Sequence, residues 1–198
     1  MYREILARWD RFASARSRSR HLPPRLLAHL RPGQSVLDIG TSDGRLVRDL
    51  LQAEPTLDIT AIDSHPRAET YIPVIEANGH DVPFADNAFD TVMLIDVLHH
   101  DLHPERILRE AARVARGRVL IKDHYWVTAL DRAVLRLSDY LGNRAYDIPL
   151  PYNYLRLEEW RDLFAGLDAR VVATETFHYS VYDRCKQVTF LLDTGCKE

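Results

Sequence analysis

The sequence predicts an α/β protein built on one doubly wound sheet of seven strands, with an antiparallel C-terminal end and a shortened second αβ crossover. Three observations carry the prediction. From Ser35 onward, short apolar runs alternate with stretches of helical period. Within Val36–Leu46, VLDIGTSDGRL, an apolar run passes into a helix through glycines. The last two apolar runs, Arg170–Tyr179 and Lys186–Leu192, have no helix between them, so the second returns antiparallel.

The elements follow in order. Residues 2–13 place Ile5, Leu6, Trp9, Phe12 and Ala13 at helical spacing. Arg16, Arg18, Arg20 and Arg25 then make a basic stretch, read either as a solvated helix end and linker or as a lid with an anion-attracting rim. Pro23-Pro24 opens a short helix through Leu30, and Pro32-Gly33 turns the chain, so residues 1–32 read as a helical cap. Ser35–Ile39 is the first strand. Gly44–Glu54 is a helix stopped by Pro55, and Leu57–Asp63 is the second strand. The next helix is nearly missing: Pro66–Thr70 gives barely one turn before a third strand within Tyr71–Ala77. Phe89–Asp96 is the fourth strand, Pro104–Ala115 a helix and Arg118–Lys122 the fifth strand. Val127–Leu141 is a helix with Leu130, Val134, Leu137 and Leu141 on one face. Gly142–Leu155 is a loop rich in proline and tyrosine, and Leu157–Ala165 is a helix.

Composition narrows the classes. A length of 198 residues suits one domain, and 46% hydrophobic residues suffice for a full core. A net charge of −3 supplies no general basic field for nucleic acid. No apolar run is long enough to span a bilayer, and the charged N-terminus MYREILARWDRF has no signal-peptide core. Cys185 and Cys196 make neither a metal spacing nor a disulfide framework, which points to a reducing cytoplasmic setting.

The strand-to-helix junction carries the chemistry. Asp38 ends an apolar run, Gly40 follows, and Gly44 precedes the helix. Glycine belongs where backbone takes positive φ or passes close to a ligand. Asp63 ends the second strand in the same way. Two strand-end acids beside a glycine turn suit a nucleoside-type cofactor, because a carboxylate can accept from both ribose hydroxyls. A nicotinamide or flavin fingerprint would need glycines in place of Ser42 and Arg45, so the spacing disfavours it.

These residues resemble the first motif of class I S-adenosylmethionine-dependent methyltransferases, acid-x-Gly-x-Gly-x-Gly, here Asp38, Gly40, Ser42 and Gly44. Asn78–Val92, NGHDVPFADNAFDTV, resembles the family's Asp-Ala-x-x-Leu-Pro-Phe stretch. Ile95–Val119 resembles its fourth strand, turn and helix. The resemblance covers most of the chain and implies a Rossmann-like fold with S-adenosyl-L-methionine as cofactor. It implies that Asp38 organises the methionine ammonium and that Asp63 accepts the ribose hydroxyls. It also places Asn78, Asp81 and Asp96 in the cofactor set. Three departures stand out. Ser42 replaces the middle glycine, a strained substitution if φ is positive there. Asn78 replaces the aspartate that accepts from the adenine amino group, with Asp81 close enough to substitute. The crossover after the second strand is cut short, leaving His65 and Arg67 near the ribose edge.

Methyl transfer from a sulfonium needs a positioned acceptor and, for a hydroxyl, removal of its proton. His99, His100 and His103 with Asp101 form the densest titratable cluster, just past the fourth strand. His99 or His100 is a candidate base. A metal site is the minority reading, because adjacent histidines usually point apart. Asp123 and His124 enter from the end of the fifth strand, either as a strand-end cap or as substrate contacts. Tyr146, Tyr152 and Tyr154 make residues 142–156 a candidate active-site loop for an apolar or aromatic acceptor. His178 and Tyr182 are weaker candidates. The expected activity is methyl transfer to a small-molecule acceptor, possible O-methylation by a His or Asp base included. One alternative is a cofactor-binding module that transfers no methyl, motivated by Ser42 and Asn78. A role on RNA or protein rests on the arginines from Arg16 to Arg25 alone.

Overall fold

The computed structural model describes residues 15–143, 150–167, 169–180 and 183–195. The helix expected over residues 2–13 lies outside them. The described strands are β1 (Ser35–Ile39), β2 (Asp58–Asp63), β3 (Ile75–Glu76), β4 (Phe89–Ile95), β5 (Ala115–His124), β6 (Arg170–Phe177) and β7 (Gln187–Asp193). They form one seven-stranded sheet in the order β3-β2-β1-β4-β5-β7-β6. β1, β2, β3, β4 and β5 pair parallel, while β7 runs antiparallel to both β5 and β6. The doubly wound sheet with an antiparallel end is therefore as the sequence predicts. The order reverses at β1, so the carboxyl ends of β1 and β4 flank the crevice where this architecture takes ligands.

Helices cover both faces, which is why the central strands are near-continuous apolar runs. On one face α1 (Ala15–Leu27) and α2 (Arg45–Ala53) bury Leu22, Leu26 and Leu50 against Val36, Met93 and Leu120. On the other, α3 (Pro104–Val114) and α5 (Leu157–Ala165) bury Ile107, Leu108, Trp160 and Phe164 against Leu37, Val92 and Phe190. Pro104 starts α3 where its missing N–H costs nothing.

Several boundaries differ from the sequence reading. Pro23 and Pro24 lie inside α1 rather than at a helix start. Burial of Leu22 and Leu26, one turn apart, holds the helix through its prolines, and the arginines ride on that helix instead of a linker. No helix joins β2 to β3, and β3 shrinks to two residues. β5 begins at Ala115, directly where α3 stops, and a register irregularity against β4 absorbs the abrupt change.

The helix α4 (Ala129–Asn143) faces differently from its apolar stripe. Leu130 and Leu137 are each 61% exposed, whereas Leu135 is buried. The inward face is set by Leu135 and Asp139, four residues apart, which meet the Tyr154 hydroxyl.

Candidate active site

The turn after β1 is left-handed at alternate residues: φ is 80° at Gly40, 60° at Ser42 and 74° at Gly44. Both glycines are also required by packing. A Cβ on Gly40 would lie 2.5 Å from a Val97 methyl, and one on Gly44 would lie 2.3 Å from Ile72 Cγ1. Ser42 tolerates the same conformation at a cost of roughly 1–2 kcal/mol. Its backbone N–H is drawn to the Asp63 carboxylate at 2.8 Å, and its hydroxyl accepts from Arg67 Nε at 3.2 Å.

Asp63 is thus fixed at the end of β2. One oxygen accepts from the Ser42 N–H, the other from the His65 N–H at 2.7 Å. Each oxygen keeps a second lone-pair direction for a ligand hydroxyl. The Ala77 N–H donates to the Asp63 carbonyl, which brings the next turn alongside β2. In that turn the Asn78 side-chain oxygen accepts from the His80 N–H, and the Asp81 N–H donates to the Asn78 carbonyl. Both Asn78 and Asp81 are exposed.

Asp38, at the crevice end of β1, is only 2% exposed. Burial pushes its carboxyl up to about 7, against the pull of Arg18. Asp96 follows β4 with φ of 60°. It is ion-paired to the buried Lys122 ammonium and to Arg18 at 3.0 Å, and His124 Nε2 lies 3.5 Å from it. Burial alone would raise its pKa, but the Lys122 and Arg18 charges hold its carboxyl far below the usual range. Arg18 therefore spans from α1 to the carboxyl end of β4.

His99 and Asp123 form a buried pair, with Nδ1 to Oδ1 at 2.6 Å. Asp123 is fully buried and His99 is 2% exposed. Burial opposes the charge on His99, yet the Asp123 and Asp139 carboxylates raise it to about 10. His99 is buried against Asp123 and Asp139, so of the two candidate bases His100 is the more exposed. The Asp123 carboxylate accepts from His99 and from the His124 N–H. His124 is pushed the other way, down to about 3, by burial and by the Lys122 ammonium, and so stays neutral. Its Nδ1 is buried with no hydrogen-bond partner among the described residues. The His100 side chain remains 21% exposed, with Nε2 at 3.7 Å from Asp139 Oδ1.

The expected loop divides. Residues 144–149, with Tyr146, lie outside the described residues. From residue 150 the chain is stitched to the strand ends. The Asn153 N–H donates to the His99 carbonyl, Tyr125 and Leu155 form a bridge, and Trp126 Nε1 donates to the Tyr154 carbonyl. Tyr154 is buried, stacks on His99 at 5.3 Å and donates to Asp139 Oδ2 at 2.8 Å. Asp139 is the site residue that sequence reasoning missed. Its signal was a carboxylate one turn beyond Leu135, on the less apolar side of the helix. His103 is mostly exposed, and His178 Nδ1 donates to the Asp183 carbonyl away from this cluster. Tyr182 lies outside the described residues.

Comparison with known proteins gives the same picture. Residues 37–121 match a family model described as a methyltransferase domain. A demethylmenaquinone methyltransferase of Thermotoga maritima is 32% identical over 97 residues, covering 44% of this chain and 42% of the relative. A demethylmenaquinone methyltransferase of Renibacterium salmoninarum is 27% identical over 148 residues, covering 66% and 62%. The chain thus spans between about two fifths and three fifths of these relatives' length. A 1,6-didemethyltoxoflavin-N1-methyltransferase structure from Burkholderia thailandensis superposes with a TM-score of 0.70 at 14% identity, covering 94% of this chain and 83% of the other. That likeness is one of fold. Among the described residues no helix is long and apolar enough to cross a membrane.

Proposed function

We propose that this chain is a class I S-adenosylmethionine-dependent methyltransferase that binds S-adenosylmethionine across the carboxyl ends of β1, β2 and β4 and methylates a small molecule. The observation that carries the reading is Asp63. Its carboxylate is oriented by two backbone donors beside a left-handed turn, with lone pairs to spare for a ribose. Asp38, Gly40, Ser42 and Gly44 take the methionine end, with Asp96 beyond them. Asn78 and Asp81, next to Asp63, take the adenine end.

The acceptor approaches from the β4 and β5 side. As the acceptor atom bonds to the methyl carbon, the carbon–sulfur bond breaks and its electron pair returns to sulfur as a neutral thioether. The protein's part is alignment of the acceptor and, where it is a hydroxyl, disposal of its proton. O-methylation is supported by the histidine cluster, in which His100 is the more exposed imidazole. The curated relatives carry demethylmenaquinone in their names, which supports a flat, largely apolar acceptor here. Soluble quinols and catechols are the first compounds to try.

Titration calorimetry with S-adenosylhomocysteine tests the cofactor half. Saturable binding of one equivalent is the expected result. Folded protein that binds none at millimolar ligand would overturn the assignment. Radiolabel transfer from S-adenosylmethionine into an extract metabolite is expected next. Tight cofactor binding with no label in any fraction would instead favour the non-methylating module.

A further inference from the structure

His99, His100 and Asp139 converge on one point beside the carboxyl ends of β4 and β5. Their ligand-type atoms lie within 4.8 Å of one another. His99 Nε2 is 3.9 Å from Asp139 Oδ1, and His100 Nε2 is 3.7 Å from the same oxygen. These separations are too long for hydrogen bonds. They are close to the spacing of ligands around one ion: donors about 2.0–2.1 Å from a tetrahedral zinc stand roughly 3.3–3.4 Å apart. Bringing each imidazole onto an ion shared with Asp139 would therefore shorten those two separations by a few tenths of an ångström.

The surroundings fit as well. Metal-bound imidazoles usually donate their other nitrogen to a carboxylate, and bound carboxylates are themselves hydrogen-bonded. His99 turns Nδ1 to the buried Asp123 at 2.6 Å, so Nε2 faces the cluster and would give up its proton when a metal binds. Asp139 accepts from the Tyr154 hydroxyl on Oδ2 and from the Asn143 amide. The donors come from the turn after β4 and from α4, so two separate elements converge on one point.

We propose that His99, His100 and Asp139 form a binding site for a divalent first-row transition metal, of the zinc class. Two imidazoles and one carboxylate leave a fourth position open, as in catalytic rather than structural sites. The hard oxygen sites that suit magnesium or calcium are a poor match for this nitrogen-rich set. The site adjoins the acceptor side and is independent of where the cofactor sits.

The test uses the full chain, stripped with chelator and dialysed. Zinc is titrated by calorimetry and its retention counted by atomic emission, while cobalt(II) reports geometry through its visible absorption. One equivalent of zinc and the intense band of four-coordinate cobalt are expected. His100→Ala and Asp139→Asn should each weaken zinc binding by about a hundredfold or more, since even outer partners contribute ten- to hundredfold. His103→Ala, at an exposed histidine, should change nothing. Thermal melting confirms that each variant is folded. Zinc uptake by the wild type that matches the double variant His100→Ala/Asp139→Asn, or none by either, overturns the proposal. S-adenosylhomocysteine titrated into the same samples keeps the two readings apart. Cofactor binding without zinc sinks only the metal site, and zinc binding without cofactor sinks only the methyltransferase site.

Discussion

The two halves of the crevice are built on different principles. The β1–β2 half is made of backbone. Asp63 is held by the N–H groups of Ser42 and His65, and the turn it serves needs positive φ at three alternate residues. The β4–β5 half is made of side chains drawn from separate elements. His99 follows β4, Asp123 lies in β5, Asp139 in α4 and Tyr154 in the segment after it. The first half is a local device that many sequences can copy. The second is an ionic and aromatic network whose members are chosen by tertiary position.

The largest expected effect lies in the second half. Asp123→Asn keeps the shape of the side chain but leaves the buried His99 charge without its partner. Removing one member of a buried pair costs about 3–5 kcal/mol. Urea unfolding at neutral pH should show that loss in stability. A change below about 1 kcal/mol would mean that His99 simply neutralises, and that the network is not held by charge.

Asp63→Ala probes the first half. It should remove two charge-assisted hydrogen bonds to the ribose, each worth roughly 1.5–3 kcal/mol. Affinity for S-adenosylhomocysteine should fall by about a hundredfold or more, with folding retained because the residue faces the crevice. Arg20→Ala, at an exposed residue of α1, should leave affinity unchanged. Equal binding by wild type and Asp63→Ala would show the cofactor site to be misplaced.

The same contrast explains what was legible in the sequence. Asp38, Gly40, Gly44 and Asp63 can be found by spacing, because a strand-to-helix turn writes its needs into consecutive residues. The positive φ at Ser42 follows from the glycine it replaces, and the structure has that φ. The parallel sheet and its antiparallel end follow from alternation and from the missing last crossover. Asp139 could not be found in this way. The apolar stripe of α4 pointed to Leu130 and Leu137, which the structure leaves in solvent. That helix is oriented by a polar contact with Tyr154, and periodicity of apolar residues is blind to such contacts. Arg18 was counted among the basic residues, but its pairing with Asp96 depends on a helix running through two prolines.

A pH experiment separates Asp38 from its neighbours. Its carboxyl is raised from 3.8 to about 7 by burial, so the empty fold holds a proton that the unfolded chain has lost. Stability from this group is present below the unfolded value and declines as pH rises toward about 7. Cofactor binding should run the opposite way. The ligand ammonium prefers the ionised carboxylate, so binding expels the proton at low pH. Affinity for S-adenosylhomocysteine should rise by up to about tenfold per pH unit below 7 and level off above it. Asp38→Asn should flatten the profile. A slope that survives that substitution would assign the proton to another group.

Ser42→Gly is the smallest and sharpest test of the local half. Serine holds φ of 60° there, a conformation that costs an L-residue roughly 1–2 kcal/mol and glycine almost nothing. The substitution also loses the hydrogen bond from Arg67 Nε, worth about 0.5–1.5 kcal/mol. Glycine's greater freedom in the unfolded chain offsets part of the relief. These terms nearly cancel, so stability in urea unfolding should change by no more than about 1 kcal/mol either way. Cofactor affinity should stay within about twofold, because the Asp63 contact uses the backbone N–H, which glycine keeps. A large drop in affinity would mean that the Ser42 hydroxyl, held by Arg67, itself meets the ligand. The β1–β2 half would then share the side-chain logic of the β4–β5 half.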